Sequence, residues 1–378
     1  MKRTISLKLI LSQNDCEALL QTQGYFAQGC NTIALFAQEN RCWNHVALHN
    51  LCYSKVREQL PELGSQMVCN ALRKVCSSYK VLKIRKTKPV PTIRFKETSS
   101  IHYCARTFTL KKEVLSLYTV NKRIKCSFTI GTRQQEYLKQ GKVKEGELVR
   151  KGRRWFFNLV LELPEPSLER EGTFMGIDLG ENNIAVTSNG TIYGGGKLKG
   201  ARDKFLNRRK KLQSNGSKAA KRCLKRISGK ERRRVKETNH RISKALIEEA
   251  VLNETKMIAL EDLQNIRKRI KGNKRMRTRL HRWPWRELQQ FIEYKAQSQG
   301  IEVVYVRPEY SSLTCSHCQS LGIRQKHLFK RLSCGSYQHS DRNAAINHCK
   351  LAESVVSARA PVNVPMVAAS ELATSSFL

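Results

Sequence analysis

No stretch of this sequence combines the length and the freedom from charge that an apolar membrane-spanning helix needs. Acids are scarce as well: 31 Asp and Glu stand against 70 Lys and Arg, a formal charge of +39 over 378 residues. Such a surplus repels itself in a compact fold and attracts polyanions, so nucleic acid is the expected partner and a membrane is not. A leader segment is not expected either. MKRTISLKLILSQ starts with basic residues, but Lys8 interrupts its short apolar part, and it reads as a strand. The thirteen cysteines are odd in number, and most, such as Cys16, Cys69, Cys104 and Cys223, are scattered singly through apparent helices and strands. That is the pattern of small buried hydrophobes in a reducing cytoplasm. No serine, cysteine or tyrosine stands in a distinct nucleophile context, and Tyr310 and Tyr337 are weak candidates for recombinase chemistry.

The length suits two or three domains. Residues 1–13 carry the first strand, and residues 14–85 turn helical, with Asn14-Asp15 placed to cap and Pro61 and Gly64 as punctuation. Three helices are the simplest account. Residues 86–166 change to short strands: PTIRFK, IHYCARTFTL, VLSLYTV, RIKCSFTIG and RWFFNLVLELP, as in a barrel or sandwich. Most of the rings of Trp155, Phe156 and Phe157 are expected in its core. Pro164-Glu165-Pro166 reads as a linker.

Residues 172–350 carry the chemistry. In Phe174-Met175-Gly176-Ile177-Asp178-Leu179-Gly180, alternation sends Met175, Ile177 and Leu179 to one face and Asp178 to the other, between glycines that leave room for a metal or a phosphate. Asn189-Gly190 then signals a hairpin. A second apolar strand, Lys256–Leu260, ends in Glu261, with Asp262 as a fallback that alternation turns away. Ser340-Asp341 starts a helix, with Ser340 as cap and Asp341 in the first turn. Strand, strand and helix thus deliver one acid each. Magnesium or manganese takes oxygen ligands, and two such ions about 4 Å apart can clamp the attacking and leaving oxygens of a phosphodiester.

Between the first two acids lies a basic helical region expected to fold as a hairpin turning near Gly229. Its apolar residues recur often enough to pack, and its basic face, including Arg208, Arg209, Lys210, Lys211, Arg232, Arg233 and Arg234, is expected on a phosphate backbone. After Glu261, QNIRKRIKGNKRMRTRLHRW reads as a loop, a helix opens at Trp283-Pro284-Trp285, and Ile301–Val306 is a buried strand. Strand, helix and strand in that order make a right-handed crossover. Residues 351–378 show no periodicity and read as a disordered tail.

Cys315-Ser316-His317-Cys318, with Cys334 sixteen residues on, looks like a zinc ribbon at residues 315–339. The fourth position holds Tyr337, a poor ligand, and Gln319 and Gln338 stand where glycine is expected after each knuckle. Three readings stay open: zinc held by Cys315, Cys318, Cys334 and His339; weak zinc; or a metal-free loop.

MGIDLGENNIAVTSNG, IALEDL, PEYSSLTCSHC and SDRNAAIN, in this order and spacing, resemble the motifs of the TnpB (OrfB-type) family of insertion-sequence-encoded, RNA-guided DNA nucleases, relatives of type V CRISPR effectors. The resemblance covers most of the chain after about residue 85 and is strongest after residue 170. It implies an α/β, RuvC-type (RNase H-like) nuclease domain with an inserted zinc-ribbon-like finger, preceded by a β-barrel wedge domain that carries a helical recognition lobe. It implies Asp178, Glu261 and Asp341 as catalytic acids, Mg²⁺ or Mn²⁺ as cofactor, and guide RNA and target DNA as partners in a prokaryotic cytoplasm. It also implies a lid formed by the basic loop after Glu261. A family member of the usual kind has four finger cysteines, so this finger departs from the pattern. Three functions compete: an RNA-guided, metal-dependent DNA endonuclease, a protein-only nuclease selecting DNA by structure, and a non-enzymatic regulator of transposition. The helical lobe, barrel and basic helices favour the first over the second, and the intact acids argue against the third.

Overall fold

Strand β1 (Lys2–Ile10) buries Ile5, Leu7 and Leu9 on one face and pairs on both edges, with β7 (Arg154–Glu162) and with β5 (Ile124–Thr129). In this computed structural model, which describes residues 1–82, 84, 89–167, 171–263, 284–307, 311–331 and 334–359, the chain divides into two units, Met1–Pro164 and Glu165–Leu378. The first unit adds β2 (Ile101–Cys104), β3 (Phe108–Lys111), β4 (Val114–Leu117) and β6 (Lys142–Lys151) to an antiparallel sheet of seven strands in the order β2-β6-β7-β1-β5-β4-β3. The two outermost strands are linked by residues 105–107 alone, so the sheet must curl until it is nearly closed. Phe157 fills the interior, its ring centroid 5.8 Å from that of Tyr103 and 5.1 Å from that of Phe108.

Three helices follow β1: α1 (Gln13–Glu39), α2 (His45–Gln59) and α3 (Ser65–Val81). The N-cap of the first is Ser12, and Asp15 of the expected Asn14-Asp15 pair completes it. The Ser12 hydroxyl accepts the Asp15 N–H at 3.2 Å, and the Asp15 carboxylate accepts the Ser12 N–H at 3.3 Å, a reciprocal capping box. PTIRFK is not a strand. The Asn31 amide clamps both backbone groups of Phe95 to α1, at 2.7 and 3.0 Å, in place of a sheet neighbour. Helix α4 (Thr132–Gln140) precedes β6.

The second unit is built on five strands, β8 (Thr173–Asp178), β9 (Asn183–Thr187), β10 (Ile192–Gly194), β11 (Thr255–Glu261) and β12 (Glu302–Val306), in the order β10-β9-β8-β11-β12. β8, β11 and β12 run parallel, and β9 and β10 form the antiparallel meander. Alternation divides this sheet into two faces. Met175, Ile177, Ile258 and Leu260 form a core with α5 (Gly196–Asn215), α6 (Lys218–Leu252) and α7 (Trp285–Gln297). Phe174, Met257, Ala259, Val304 and Val306 pack with Ala352 of α8 (Ser340–Arg359) on the other face. Gly176 sits under that helix, where a Cβ would overlap the Ala345 carbonyl and approach the Cys349 N to 2.8 Å. Only glycine admits so close a crossing.

The basic hairpin turns at Gly216-Ser217, not near Gly229. Gly216 adopts φ 66°, and the Ser217 hydroxyl caps α6 by accepting the Ala220 N–H at 3.1 Å. Gly229 lies inside α6 among Lys, Arg and Glu, strong helix formers that offset its cost of about 1 kcal/mol. The expected tail begins differently as well, since α8 continues to Arg359. The basic loop and lid at 264–283 (with Trp283), Tyr310 and the tail from 360 lie outside the described residues. Among the described residues no helix is long and apolar enough to cross a membrane.

Candidate functional site

Because β8 and β11 are parallel neighbours, their C-terminal ends meet, and both end in acids on the α8 face. Asp178 follows Phe174 and Gly176 by alternation, and Glu261 follows Met257 and Ala259. Asp262 steps off the face while its N–H continues the ladder to the Val306 carbonyl at 2.8 Å. The Gln289 amide of α7 donates to the Glu261 carbonyl at 2.8 Å and fixes the strand end. From the first turn of α8, Asp341 approaches closely enough that its charge raises the Asp178 pKa.

The three acids are not equivalent. Asp178 keeps a little exposure but is enclosed almost completely, and burial, with Asp341 and Glu261 close by, pushes its pKa up to about 8. Burial, with Asp262 beside it, raises Glu261 to about 7. Asp341 instead has strong partners. Arg324 Nη2 donates to its Oδ1 at 3.1 Å, Asn183 Nδ2 to its Oδ2 at 3.0 Å, and the Ser340 hydroxyl to its Oδ1 at 3.2 Å.

Sequence reasoning missed a fourth member, His348. A ring nitrogen of His348 and carboxylate oxygens of Asp178 and Glu261 lie within 4.8 Å of one another. The ring has no exposure, its Nδ1 is 3.3 Å from the Ile177 carbonyl, and its buried Nε2 has no hydrogen-bond partner. Burial pushes its pKa down to about 4. The available signal was its spacing: His348 follows Asp341 by seven residues, two turns on one helix face. Arg324 and Asn183 carried no such signal. Neighbouring carboxylates with raised pKa values beside an unpartnered nitrogen lone pair form a donor set that suits a divalent cation.

The finger is a three-stranded sheet of β13 (Ile323–Gln325), β14 (Leu328–Lys330) and β15 (Tyr337–His339), preceded by the Cys315 knuckle. Sulfurs of Cys315, Cys318 and Cys334 lie within 4.8 Å of one another, and the Cys315–Cys334 separation is 3.7 Å. Thiolates bound tetrahedrally to one zinc at about 2.3 Å stand about 3.8 Å apart, so the three fit one ion. The Ser320 backbone N–H, followed by the Cys334 and Cys315 side chains, brings Cys318 down to about 6. His339 is not brought to this cluster. Its Nδ1 accepts the Asp341 N–H at 3.2 Å, its ring stacks on His327, and it groups with His327 and Asp341. β15 runs straight into α8, so its side chain belongs to the acid end of the finger. Tyr337 is 64% exposed. Gln319 adopts φ 58°, a left-handed backbone that favours the glycine expected there, whereas Gln338 lies in β15.

SDRNAAIN also ties the finger to α8. Asn343 Nδ2 donates to the Thr314 carbonyl at 2.7 Å, and its Oδ1 accepts the Ser316 N–H at 2.8 Å. Asn347, one turn on, donates to the carbonyls of Ser311 and Thr314 at 2.8 and 2.7 Å.

On the basic hairpin, Arg208, Lys210, Lys211, Arg232, Arg233 and Arg234 are exposed. The Arg209 guanidinium donates to Glu231 at 2.9 Å and joins the two helices. Arg233 and Arg234 line a groove of about 830 Å³ with Lys197, Lys230 and Arg241.

The family model "OrfB_IS605: Probable transposase" matches residues 158–282, and "Cas12f1-like, TNB domain" matches residues 285–348. Over 186 residues the chain is 37% identical to the TnpB-like protein MJ0751 of Methanocaldococcus jannaschii, covering 48% of this chain and 66% of that protein. Over 113 residues it is 36% identical to the CRISPR-associated endodeoxyribonuclease Cas12f1 of Sulfoacidibacillus thermotolerans, covering 29% of this chain and 25% of the relative. The chain thus spans less than two thirds of the length of these curated relatives. In structure it is similar to a chain of a "Cas12f1-sgRNA-target DNA complex", with a TM-score of 0.62 and 18% identity over 90% of this chain and 83% of that one, a likeness of fold.

Proposed function

Because the chain belongs to the TnpB (OrfB-type) family, we propose that it is an RNA-guided DNA endonuclease with a RuvC-type, RNase H-like site. The observation that carries this reading is the meeting of Asp178, Glu261 and Asp341 on one face of the sheet, where two of the acids raise the pKa of the third. Acids packed this closely cannot all ionise without positive charge between them. Asp178 and Glu261 would hold magnesium or manganese, and Asp341 would join them once its carboxylate leaves Arg324. The bound ions supply charge to the attacking and leaving oxygens of a phosphodiester. Gln289 and Asn183 fix Glu261 and Asp341 in position. The exposed arginines and lysines of α5 and α6 would track the backbone of a guide–target heteroduplex, whose base pairing supplies the sequence reading. Zinc is the ion best suited to the three finger thiols.

A second reading, a nucleic-acid-binding regulator that does not cut, is favoured by the Arg324–Asp341 ion pair, which occupies the third acid. One experiment separates the two. The protein is expressed with its native flanking DNA, the co-purifying RNA is sequenced, and the complex is given duplex DNA matching that RNA. We expect magnesium-dependent cutting by the wild type, and none by Asp178→Ala, Glu261→Ala or Asp341→Ala at unchanged DNA affinity. Binding without cutting in the wild type would establish the regulator, and cutting after RNA removal would establish a protein-only nuclease.

A further inference from the structure

We propose that His348 is a metal ligand: its Nε2 lone pair joins Asp178 and Glu261 around one divalent cation and tilts the site from magnesium toward manganese. This rests on the reading of the acid set as a cation site.

The tautomer follows from the partner on the far side of the ring. A carbonyl oxygen can only accept, so the Nδ1 that stands 3.3 Å from the Ile177 carbonyl carries the proton. Nε2 is then a bare lone pair. It is buried and meets no donor, and a ring nitrogen of His348 forms with Asp178 and Glu261 a group whose donor atoms all lie within 4.8 Å of one another. Ligands at about 2.0–2.3 Å on opposite sides of an ion stand about 4–4.6 Å apart, so one ion can reach all three. A ring whose second nitrogen is held by a backbone carbonyl is also how metal-binding histidines are oriented. The strand that supplies Asp178 supplies that carbonyl from the preceding residue, so the acid and the ring are set by one piece of backbone.

The alternative, a histidine buried only for packing, leaves Nε2 buried and unpaired, which native cores avoid. His339 does not compete for the role in its present tautomer, because its Nδ1 already accepts the Asp341 N–H. An imidazole nitrogen is a poor ligand for magnesium and a better one for manganese, which tolerates mixed nitrogen and oxygen sets.

The test uses the full chain and Mn²⁺ alone, read by electron paramagnetic resonance. Pulsed measurements on the wild type should show ¹⁴N modulation from a bound imidazole. The modulation should persist in His339→Leu and vanish in His348→Leu, where manganese affinity should fall about tenfold or more while magnesium affinity, read by competition, changes about threefold or less. Manganese bound at the Asp178 site without ¹⁴N modulation would overturn the ligand assignment and leave the acid site standing. Manganese binding unaffected by Asp178→Asn would overturn both. The wild-type spectrum decides even if His348→Leu fails to fold.

Discussion

Asp178 shows what a single buried carboxylate does to the rest of the site. Its folded pKa of about 8 and that of Glu261, about 7, lie above their unfolded values. The folded state therefore binds more protons than the unfolded state from about pH 4 to pH 8, and metal-free stability should fall as pH rises through that window. Thermal melts in a chelator check this, and Asp178→Asn should recover on the order of 2 kcal/mol at pH 8, about 4–8 °C in a unit of this size. A flat pH profile in the wild type would show that neither acid carries a buried charge. The same residue explains what sequence could reveal. Asp178 and Glu261 were legible because a strand's two-residue period assigns a face, and Asp341 because a capped helix start is a local signal. His348 was not legible, since one histidine on an apolar helix reads as core. Only its two-turn register with Asp341 set it apart, and that register means nothing until the helix is known to lie over β8.

The basic hairpin and the finger are each partly legible at the level of elements. Charge located α5 and α6, but Asn215-Gly216-Ser217 marked the turn and Gly229 did not, because neighbouring helix formers outweigh one glycine. Charge also could not reveal that Arg209 turns toward Glu231. Replacing Arg208, Lys210 and Lys211 with Gln should flatten the log K against log [salt] slope by about 0.7–0.9 for each phosphate no longer neutralised. Arg209→Gln should leave that slope alone and lower stability by about 1 kcal/mol. An unchanged slope in the triple variant would turn that face away from nucleic acid. In the finger, spacing identified the three thiols, whereas the position of His339 depended on where β15 enters α8. Metal analysis should find close to one zinc per chain, and Tyr337→Cys should hold it against stronger chelators. Less than about 0.2 zinc per chain, unimproved in Tyr337→Cys, would leave Cys315, Cys318 and Cys334 as reduced thiols. Gln319→Gly should stabilise the finger by up to about 1 kcal/mol by relieving its left-handed backbone.

Across the whole chain, each unit buries its own core. That of Met1–Pro164 draws on residues from Ile5 to Leu161, and those of Glu165–Leu378 on residues from Met175 onward. Residues 1–164 expressed alone should melt cooperatively, and a non-cooperative melt would make the division false. The pairing of β1 has a further consequence, which concerns synthesis. Lys2 pairs with Glu162 and Leu7 with Phe157, while α1, α2 and α3, made directly after β1, pack on one another. At about 5–20 residues per second, β1 leaves the ribosome roughly 8–30 s before its β7 partner exists. The first strand made therefore waits first for β5 and then for β7, and until the later strands emerge its apolar face, Ile5, Leu7 and Leu9, has only the nascent helices to cover it.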